Sequence, residues 1–334
     1  MRATINVLSR DRTGSTRRWS AVRLAGSPVV ESPRSTGNVE GIVLTVAPAR
    51  WRDYVTLTKP RIMSLLVLTA VCAMIAAAHG SPAALALAAL VAGGALACGG
   101  ASALNHVLDR DIDRLMGPRT ASRPVAAGRI SPARATAFAL VLLGLSFAVL
   151  TAGANLLAAA LSLAGGAFYV IVYTVWLKRT TTQNIVIGGA AGAFPPLAGW
   201  AAAQGRIGLG AVFLFTIVLL WTPPHFWALA LLLAPGYAAA RVPMLPVVRG
   251  ARVTSLQVLL YSIVLVAFTL VPGLLGTFGA LYVGAAVVLG AVLSVLAWRL
   301  WREHTSANAT VLFHYSLLYL ALLFIAVAID AAVQ

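Results

Sequence analysis

Residues 135–177 read ATAFALVLLGLSFAVLTAGANLLAAALSLAGGAFYVIVYTVWL, which is a run of 43 residues without a charged side chain. One helix needs about 20 apolar residues to cross roughly 30 Å of hydrocarbon. The run is therefore long enough for two crossings, and the less apolar stretch Thr151–Asn155 is the natural place for the turn between them. This segment indicates a membrane protein whose chain crosses the bilayer more than once.

The composition of the whole chain supports the same class. Of its 334 residues, 60% are apolar and 10% are charged, whereas a soluble domain carries roughly 25% charged residues. The formal net charge is +16, but the basic residues stand in short clusters between long apolar runs. That distribution is typical of a polytopic membrane protein and argues against a nucleic-acid-binding surface, so no nucleic acid partner is expected. Cys72 and Cys98 fall inside apolar runs and form neither a disulfide framework nor a zinc motif.

Nine apolar stretches are long enough to span the membrane. They are Ile62–Ala78, Ala83–Leu104, two within Ala135–Leu177, Thr180–Gly205, Ile207–Ala240, two within Val253–Trp298, and Thr305–Ile329. If the N-terminus is cytoplasmic, 24 of the 25 Lys and Arg residues fall on the cytoplasmic side and only Arg206 falls on the other, which follows the positive-inside rule. We therefore predict an all-α polytopic protein with its N-terminus in the cytoplasm and its C-terminus outside. The abundance of Arg and Ala favours the inner (plasma) membrane of a bacterium over a mitochondrial inner membrane.

Residues 1–50 differ from the rest of the chain. They are rich in Arg and Ser and contain no long apolar run. They also lack the apolar core of about 7–15 residues that a secretory signal peptide has. We expect a disordered cytoplasmic tail here, with a mitochondrial targeting peptide as the alternative, followed by a transmembrane domain over residues 51–334.

Three acidic residues are concentrated at the cytoplasmic end of the second predicted span, where the sequence is Asn105-His-Val-Leu-Asp109-Arg-Asp111-Ile-Asp113. In a continuous helix Asn105, Asp109 and Asp113 lie on one face, because each step of four residues slightly exceeds one turn. Asp111 faces elsewhere. Two carboxylates and an amide oxygen suit Mg²⁺, which completes its shell with water and substrate phosphates. The alternative is a loop whose carboxylates only pair with the neighbouring arginines.

Several motifs resemble one known family. The spacing Asn105-x3-Asp109-x3-Asp113, followed by Arg123-Pro124, resembles the UbiA-type intramembrane prenyltransferases. Other stretches resemble one branch of that family, the protoheme IX farnesyltransferases or heme O synthases. They are TKPRI (58–62), LDRDID (108–113), GRISP (128–132), QNIVIGG (183–189), AFPPLAGW (193–200), WTPPHFW (221–227) and VPMLPVV (242–248). The resemblance runs from about Asp53 to about Asp330.

The resemblance implies a fold, a reaction and a set of partners. The fold is nine helices around a central cavity with the active site at its cytoplasmic mouth. Asn105, Asp109 and Asp113 are implied as the catalytic residues that hold the cofactor Mg²⁺. The implied reaction joins farnesyl diphosphate and water to the substrate heme B, and gives heme O and diphosphate for the biogenesis of heme–copper oxidases. The implied partners are the lipid bilayer and, among proteins, heme A synthase or cytochrome oxidase assembly factors.

Six further residues are expected to bind the substrates. They are Arg123, Lys178, Arg179, Tyr173, Tyr237 and His225. The three basic residues can neutralise a diphosphate, and Tyr173 is one of several aromatic residues whose faces can stabilise a farnesyl cation. Tyr237 matches a tyrosine of the family in the loop after the sixth span. His225 is an ionisable residue within an apolar span, and we expect it to ligate heme iron or to act as a base when water adds.

One position departs from the family pattern. Members of the family carry a basic residue and an acid before the tyrosine of that loop, where this chain has Pro235 and Gly236. The departure leaves open a heme-binding homologue with impaired catalysis.

A second alternative is a related enzyme with an aromatic or quinone-precursor acceptor, against which the stretch at 221–227 argues. A third is a transporter or channel that uses Asp109 and Asp113, but such carboxylates usually lie near the bilayer midplane rather than at its rim.

Overall fold

The computed structural model of the chain describes residues 8–10, 16–18 and 49–334. The chain divides into two units, Met1–Thr45 and Val46–Gln334. The first contains two short strands that pair antiparallel, β1 (Leu8–Arg10) and β2 (Thr16–Arg18). The predicted disordered tail lies almost wholly outside the described residues, and it stays a prediction, as does the domain boundary at residue 51.

Every regular element between residues 49 and 334 is helical. In chain order the helices are α1 (Trp51–Thr58), α2 (Pro60–Ala77), α3 (Ala84–Leu108), α4 (Arg110–Met116), α5 (Pro118–Ala121), α6 (Pro132–Gly153), α7 (Leu156–Thr180), α8 (Asn184–Gln204), α9 (Leu209–Leu232), α10 (Ala234–Ala239), α11 (Leu245–Leu274), α12 (Ala280–Glu303) and α13 (Ser306–Val333). The helix α7 contains a π-helical segment, Phe168–Leu177. The helix α8 consists of Asn184–Gly188 and Ala190–Gln204.

Within the described residues, nine of these helices are long and apolar enough to cross a membrane. The all-α fold class and the number of spans are therefore confirmed. The predicted break in residues 135–177 is found between Gly153 and Leu156. The side chain of Asn155 accepts a hydrogen bond from the Ala158 N–H at 2.9 Å, and this cap begins α7.

The nine long helices form a closed ring. Each packs against the next along the chain, and α13 packs back against α2. The helix α8 also lies along α2, and the two backbones approach closely because Gly199 has no side chain. A Cβ at Gly199 would collide with the carbonyl oxygen of Ala70. Small residues at such crossings are typical of membrane helices, which associate through close packing.

Short helices cover one end of this ring. By chain connectivity α1 precedes α2, α4 and α5 follow α3, and α10 follows α9, so all four lie at the same end. The helix α10 packs against α4. The acidic motif, which joins α3 to α4, belongs to this end, so the short helices form its surroundings.

Candidate functional site

The acidic motif forms a buried joint between two helices. The helix α3 ends at Leu108, and Asp109 links it to α4 with φ −91° and ψ 6°. The Asp109 N–H still donates to the Asn105 carbonyl at 2.9 Å, and the Asp113 N–H donates to the Asp109 carbonyl at 2.8 Å. The spacing of four therefore persists through the joint. Asn105, Asp109 and Asp113 are at most 3% exposed, and Asn105 Nδ2 donates to Asp109 Oδ2 at 2.7 Å.

Two of the three predicted basic residues contact this cluster. Lys178 Nζ, at the end of α7, lies 2.5 Å from Asp109 Oδ2. Arg123, which follows α5, places its guanidinium 2.5 Å from Asp113 Oδ1. Each buried carboxylate thus has its own cation, which offsets the cost of burying its charge. The same two cations stand where a diphosphate bound at the carboxylates would need neutralisation.

Arg179 points to a different acid. Its guanidinium donates two 2.8 Å hydrogen bonds to the exposed carboxylate of Asp111 and a third to the Leu108 carbonyl oxygen. These bonds to Arg179 hold the pKa of Asp111 below its usual range. Arg179 therefore fastens the end of α7 to the α3–α4 joint. Its predicted role in substrate binding stays a prediction.

Lys59 is a member of the cluster that the sequence interpretation missed. It lies between α1 and α2 in the left-handed region, with φ 50°, and its Nζ donates to Asn105 Oδ1 at 2.8 Å. The pKa of its ammonium is lowered to about 7, because burial disfavours the charge and the cations of Arg123 and Lys178 repel it. The signal that could have identified Lys59 was its place in the stretch TKPRI, which carries part of the family resemblance.

The π-helical segment of α7 supplies a fourth contact to the cluster. Thr174 Oγ1 accepts a hydrogen bond from Asn105 Nδ2 at 3.2 Å and donates to the Tyr169 carbonyl oxygen, five residues back, at 2.9 Å. Single π turns occur frequently at functional sites. The adjacent Tyr173 stacks on Tyr169, with ring centroids 5.7 Å apart. The segment therefore presents two aromatic faces beside the residue that orients Asn105.

Two carboxylate oxygens of the cluster are buried without a hydrogen-bond partner in the described part of the chain. They are Asp109 Oδ1 and Asp113 Oδ2. Burial raises the pKa of Asp113, against the opposing effect of Arg123. A buried, unpaired carboxylate oxygen is costly unless a cation or donor reaches it.

The cluster fits a hard divalent cation that shares its shell with a substrate. No group of three His, Cys, Asp or Glu side chains within residues 49–334 is arranged to hold a metal. The protein ligands would therefore be the two carboxylates, together with Asn105, whose oxygen already accepts from Lys59. Such a partial set suits Mg²⁺, which commonly takes one or two carboxylates and completes its shell with water and phosphate oxygens.

The helix α10 brings Tyr237 towards the same charges. Burial raises the pKa of its phenol to about 12, and the carboxylates of Asp109 and Asp113 add to the shift. The phenol is therefore protonated at neutral pH and can donate a hydrogen bond. Its neighbour Gly236 packs directly on α4, because a Cβ there would lie 2.6 Å from the carbonyl oxygen of Met116. The missing family acid thus coincides with a backbone contact that leaves no room for a side chain.

His225 belongs to a separate group between α9 and α13. Its ring stacks on Trp221 and on Phe313, with centroids 4.3 and 4.9 Å apart, and its Nδ1 lies 2.7 Å from Ser316 Oγ. The Ser316 Oγ also lies 2.7 Å from the Phe313 carbonyl oxygen, and when its one hydrogen is donated there it accepts from Nδ1–H. In that arrangement a neutral imidazole carries its proton on Nδ1 and its lone pair on Nε2.

Comparison with known proteins identifies the family. Residues 66–327 match the model of the UbiA prenyltransferase family. The chain belongs to this family. It is 51% identical over 285 residues to a protoheme IX farnesyltransferase of Thermus thermophilus, and the aligned stretch covers 85% of this chain and 47% of that protein. It is also 51% identical over 284 residues to the protein of the same name from Gloeobacter violaceus, where the aligned stretch covers 85% of this chain and 93% of that protein. The predicted resemblance to this branch of the UbiA family is confirmed.

The chain spans about half the length of several curated relatives that it matches, with 47% of the Thermus protein and 55% of one from Roseiflexus castenholzii.

Two solved structures share the fold. A digeranylgeranylglyceryl phosphate synthase gives a TM-score of 0.70 at 18% identity and covers 85% of this chain and 99% of its own. A UbiA homolog from Archaeoglobus fulgidus, bound to GPP and Mg²⁺, gives 0.60 at 15% identity, with 82% and 99% covered.

Proposed function

We propose that the chain is a prenyltransferase that converts heme B, farnesyl diphosphate and water to heme O and diphosphate. One observation carries the proposal: Asp109 and Asp113 are buried at the family motif, and each keeps one oxygen without a partner in the described part of the chain while its other oxygen contacts Arg123 or Lys178. The names of the relatives support the choice of substrates, and the Mg²⁺ bound to the Archaeoglobus UbiA homolog supports the choice of metal.

The carboxylates would hold Mg²⁺ through their unpaired oxygens, with Asn105 beside them. Magnesium, when bound, supplies charge that stabilises the departing diphosphate. Lys59 and Thr174 fix the two ends of the Asn105 amide, since Lys59 donates to its oxygen and Thr174 accepts from its nitrogen. This orientation lets Asn105 hold Asp109 in place before a ligand arrives.

Three cations of the cluster would neutralise the leaving group. Arg123 and Lys178 pair with the carboxylates in the absence of substrate, and diphosphate oxygens offer them the same charge-assisted hydrogen bonds. Lys59 stands next to them, and the anion would favour its protonated form. Tyr237 would add a neutral donor from α10. Charge that develops on a diphosphate is stabilised most effectively by donors that are already in position.

The bond changes balance without a redox step. The allylic C–O bond of farnesyl diphosphate breaks, and diphosphate leaves with the electron pair. The farnesyl carbon bonds to the terminal carbon of a heme vinyl group, water adds its hydroxyl to the inner carbon, and one proton is released. Tyr169 and Tyr173 offer aromatic faces that would stabilise the allylic cation and help to exclude water.

His225 would act on the heme. With Ser316 accepting from Nδ1–H, the lone pair on Nε2 would be available either to ligate iron or to take the proton that water releases. Stacking on Trp221 and Phe313 fixes the plane of the ring, so Nε2 has one direction. The indole N–H of Trp221 donates to the Ser316 carbonyl oxygen at 2.7 Å, which ties α9 to α13 at this point.

The proposal is tested by incubating the purified protein in nanodiscs with heme B, farnesyl diphosphate and Mg²⁺, and by following heme O with chromatography and mass spectrometry. We expect product from the parent protein and none after EDTA treatment or in Asp109→Asn. Asp111→Asn is the matched control, since Asp111 is exposed and bound to Arg179, and it should keep most of the activity. A folded parent that makes no heme O but prenylates another acceptor would overturn the choice of heme, and one that transfers to no acceptor would overturn the enzymatic proposal.

We also propose that the carboxylate end of the ring faces the cytoplasm of a bacterium, with the N-terminus inside and the C-terminus outside. The distribution of 24 of the 25 Lys and Arg residues supports this orientation. Reporter fusions at Arg206 and at the C-terminus should report the outer side, and a fusion within the α9–α11 connection should report the cytoplasm. The opposite pattern would overturn the orientation. We further propose heme A synthase or cytochrome oxidase assembly factors as protein partners of the chain.

A further inference from the structure

A polar crevice lies between α8, α9 and α11, apart from the carboxylate cluster. Its volume is about 260 Å³. Its polar lining is formed by Thr182, Gln183, Arg249 and Gln257, and its aromatic wall by Trp227 and Tyr261. By chain connectivity, the start of α8, the end of α9 and the start of α11 all lie at the end of the ring that holds the carboxylates. The crevice therefore sits where the membrane-spanning region meets water on that side.

Arg249 brings a positive charge to the crevice, and no acid of residues 49–334 pairs with it. The backbone leaves the helical conformation at the next residue, Gly250, with φ 76°, so the first turn of α11 is set off from its transmembrane part. The acids of residues 49–334 are bonded to other partners: Asp53 to Arg129, Asp109 to Lys178, Asp111 to Arg179, Asp113 to Arg123, Glu303 to Asn308, and Asp330 to the Gly279 N–H. An anion for Arg249 must therefore come from outside the described residues.

The lining matches a phosphate group in a membrane interface. A guanidinium with nearby amide and hydroxyl donors is a recurrent phosphate site, and basic crevices between transmembrane helices hold anionic lipid headgroups. Trp227 and Tyr261 pack edge to face with centroids 5.3 Å apart, and both residue types are enriched at the headgroup level of membranes. The indole N–H of Trp227 is buried and has no acceptor among the described residues. The crevice is smaller than the pockets of roughly 300–1,000 Å³ that enclose drug-sized ligands, so it suits a headgroup rather than a porphyrin.

We infer that this crevice binds the phosphate headgroup of an anionic glycerophospholipid from the same leaflet. Leu245 and Val253 line the crevice beside Arg249, and they offer apolar contact to the first part of an acyl chain. A soluble phosphate would share the ionic contact but not the apolar one. The site would anchor the start of α11, the span that follows the loop carrying Tyr237.

The inference is tested by titrating the delipidated, full-length protein in detergent with phosphatidylglycerol, with phosphatidylcholine and with inorganic phosphate, using native mass spectrometry. We expect phosphatidylglycerol to bind the parent at least about tenfold more tightly than phosphatidylcholine, because Arg249 repels the choline cation that phosphatidylglycerol lacks, and repulsion between like charges at this range is worth roughly a factor of ten or more. Arg249→Gln should lose that advantage. Arg252→Gln removes an equal charge from the same helix, outside the crevice lining, and should keep it.

Three outcomes would overturn the inference. Equal losses in Arg249→Gln and Arg252→Gln would show diffuse attraction to a basic surface. An unchanged preference of Arg249→Gln for phosphatidylglycerol over phosphatidylcholine would show that the lipid binds outside the crevice. Inorganic phosphate that displaces the lipid at equal concentration would identify a soluble anion as the ligand. If Arg249→Gln does not fold, Gln257→Leu keeps the test open, because it removes a polar group of the lining and should weaken phosphatidylglycerol binding. Unchanged phosphatidylglycerol binding in Gln257→Leu would then overturn the inference.

Discussion

Replacing Gly236 with Ala or Asp is expected to slow heme O formation, even though Asp would restore the acid that the family carries. The structure places a Cβ at this position 2.6 Å from the carbonyl oxygen of Met116, whereas ordinary contact begins at 3.4 Å, so α10 must retreat from α4 by about 0.8 Å. The obstacle is a backbone atom, and no side-chain rotation relieves it. Overpacking of this kind costs about 1–3 kcal/mol of stability. A displacement near 1 Å of a positioned group such as Tyr237 can lower the rate by about a hundredfold.

The assay compares initial rates of heme O formation and thermal unfolding midpoints for Gly236→Ala, Gly236→Asp and the parent in nanodiscs. Gly144→Ala is the matched control, because a Cβ at Gly144 meets nothing within 4 Å. Both variants at Gly236 should be slower and less stable than the parent, and the control should match the parent. An Asp variant faster than the parent would contradict this prediction, since it would mean that a missing acid limits the reaction. A Gly236→Ala variant with the rate and the unfolding midpoint of the parent would contradict the steric explanation.

Three further predictions concern the cluster and one helix crossing of the ring. Because the pKa of Lys59 lies at about 7 and diphosphate favours the charged ammonium, the affinity for farnesyl diphosphate should fall by up to about tenfold per pH unit above pH 7. Calorimetry should show that the affinity of Lys59→Gln for farnesyl diphosphate lacks this dependence on pH. The same pH profile in Lys59→Gln and in the parent would contradict the prediction. Thr174→Val removes an acceptor of the Asn105 amide and should weaken diphosphate binding by about fivefold, as expected for one hydrogen bond of about 1 kcal/mol, whereas Thr174→Ser should not. Gly199→Ala should lower the unfolding midpoint because its Cβ meets the Ala70 carbonyl, and an unchanged midpoint would contradict the close crossing of α2 and α8.

The spans and the acidic motif could be predicted from the sequence because each depends on local composition. Apolar runs of sufficient length specify membrane helices wherever the rest of the chain lies. The break at Asn155 is also local, since its side chain caps the helix that it begins. The four-residue spacing from Asn105 to Asp113 persists across the break at Asp109, because backbone hydrogen bonds between residues four apart continue through it.

The contacts that complete the site could not be predicted in this way. Lys59 reaches Asn105 across 46 residues, and Ser316 reaches His225 across 91. These contacts depend on the rotation and approach of neighbouring helices, which the linear pattern does not fix. The same holds for Arg179. Its charge is evident from the sequence, but its ion pair with Asp111 depends on where α7 ends relative to α4.

The proposed function depends on Asp109 and Asp113 holding a divalent metal together with the diphosphate of the substrate. The most direct test is electron paramagnetic resonance of Mn²⁺, a hard cation that takes the same oxygen ligands, bound to the protein with a non-reactive farnesyl diphosphate analogue. We expect tight, analogue-dependent Mn²⁺ binding in the parent and in Asp111→Asn, and its loss in Asp109→Asn and in Asp113→Asn. Unchanged Mn²⁺ binding in folded Asp109→Asn and Asp113→Asn would show that these carboxylates do not hold the metal.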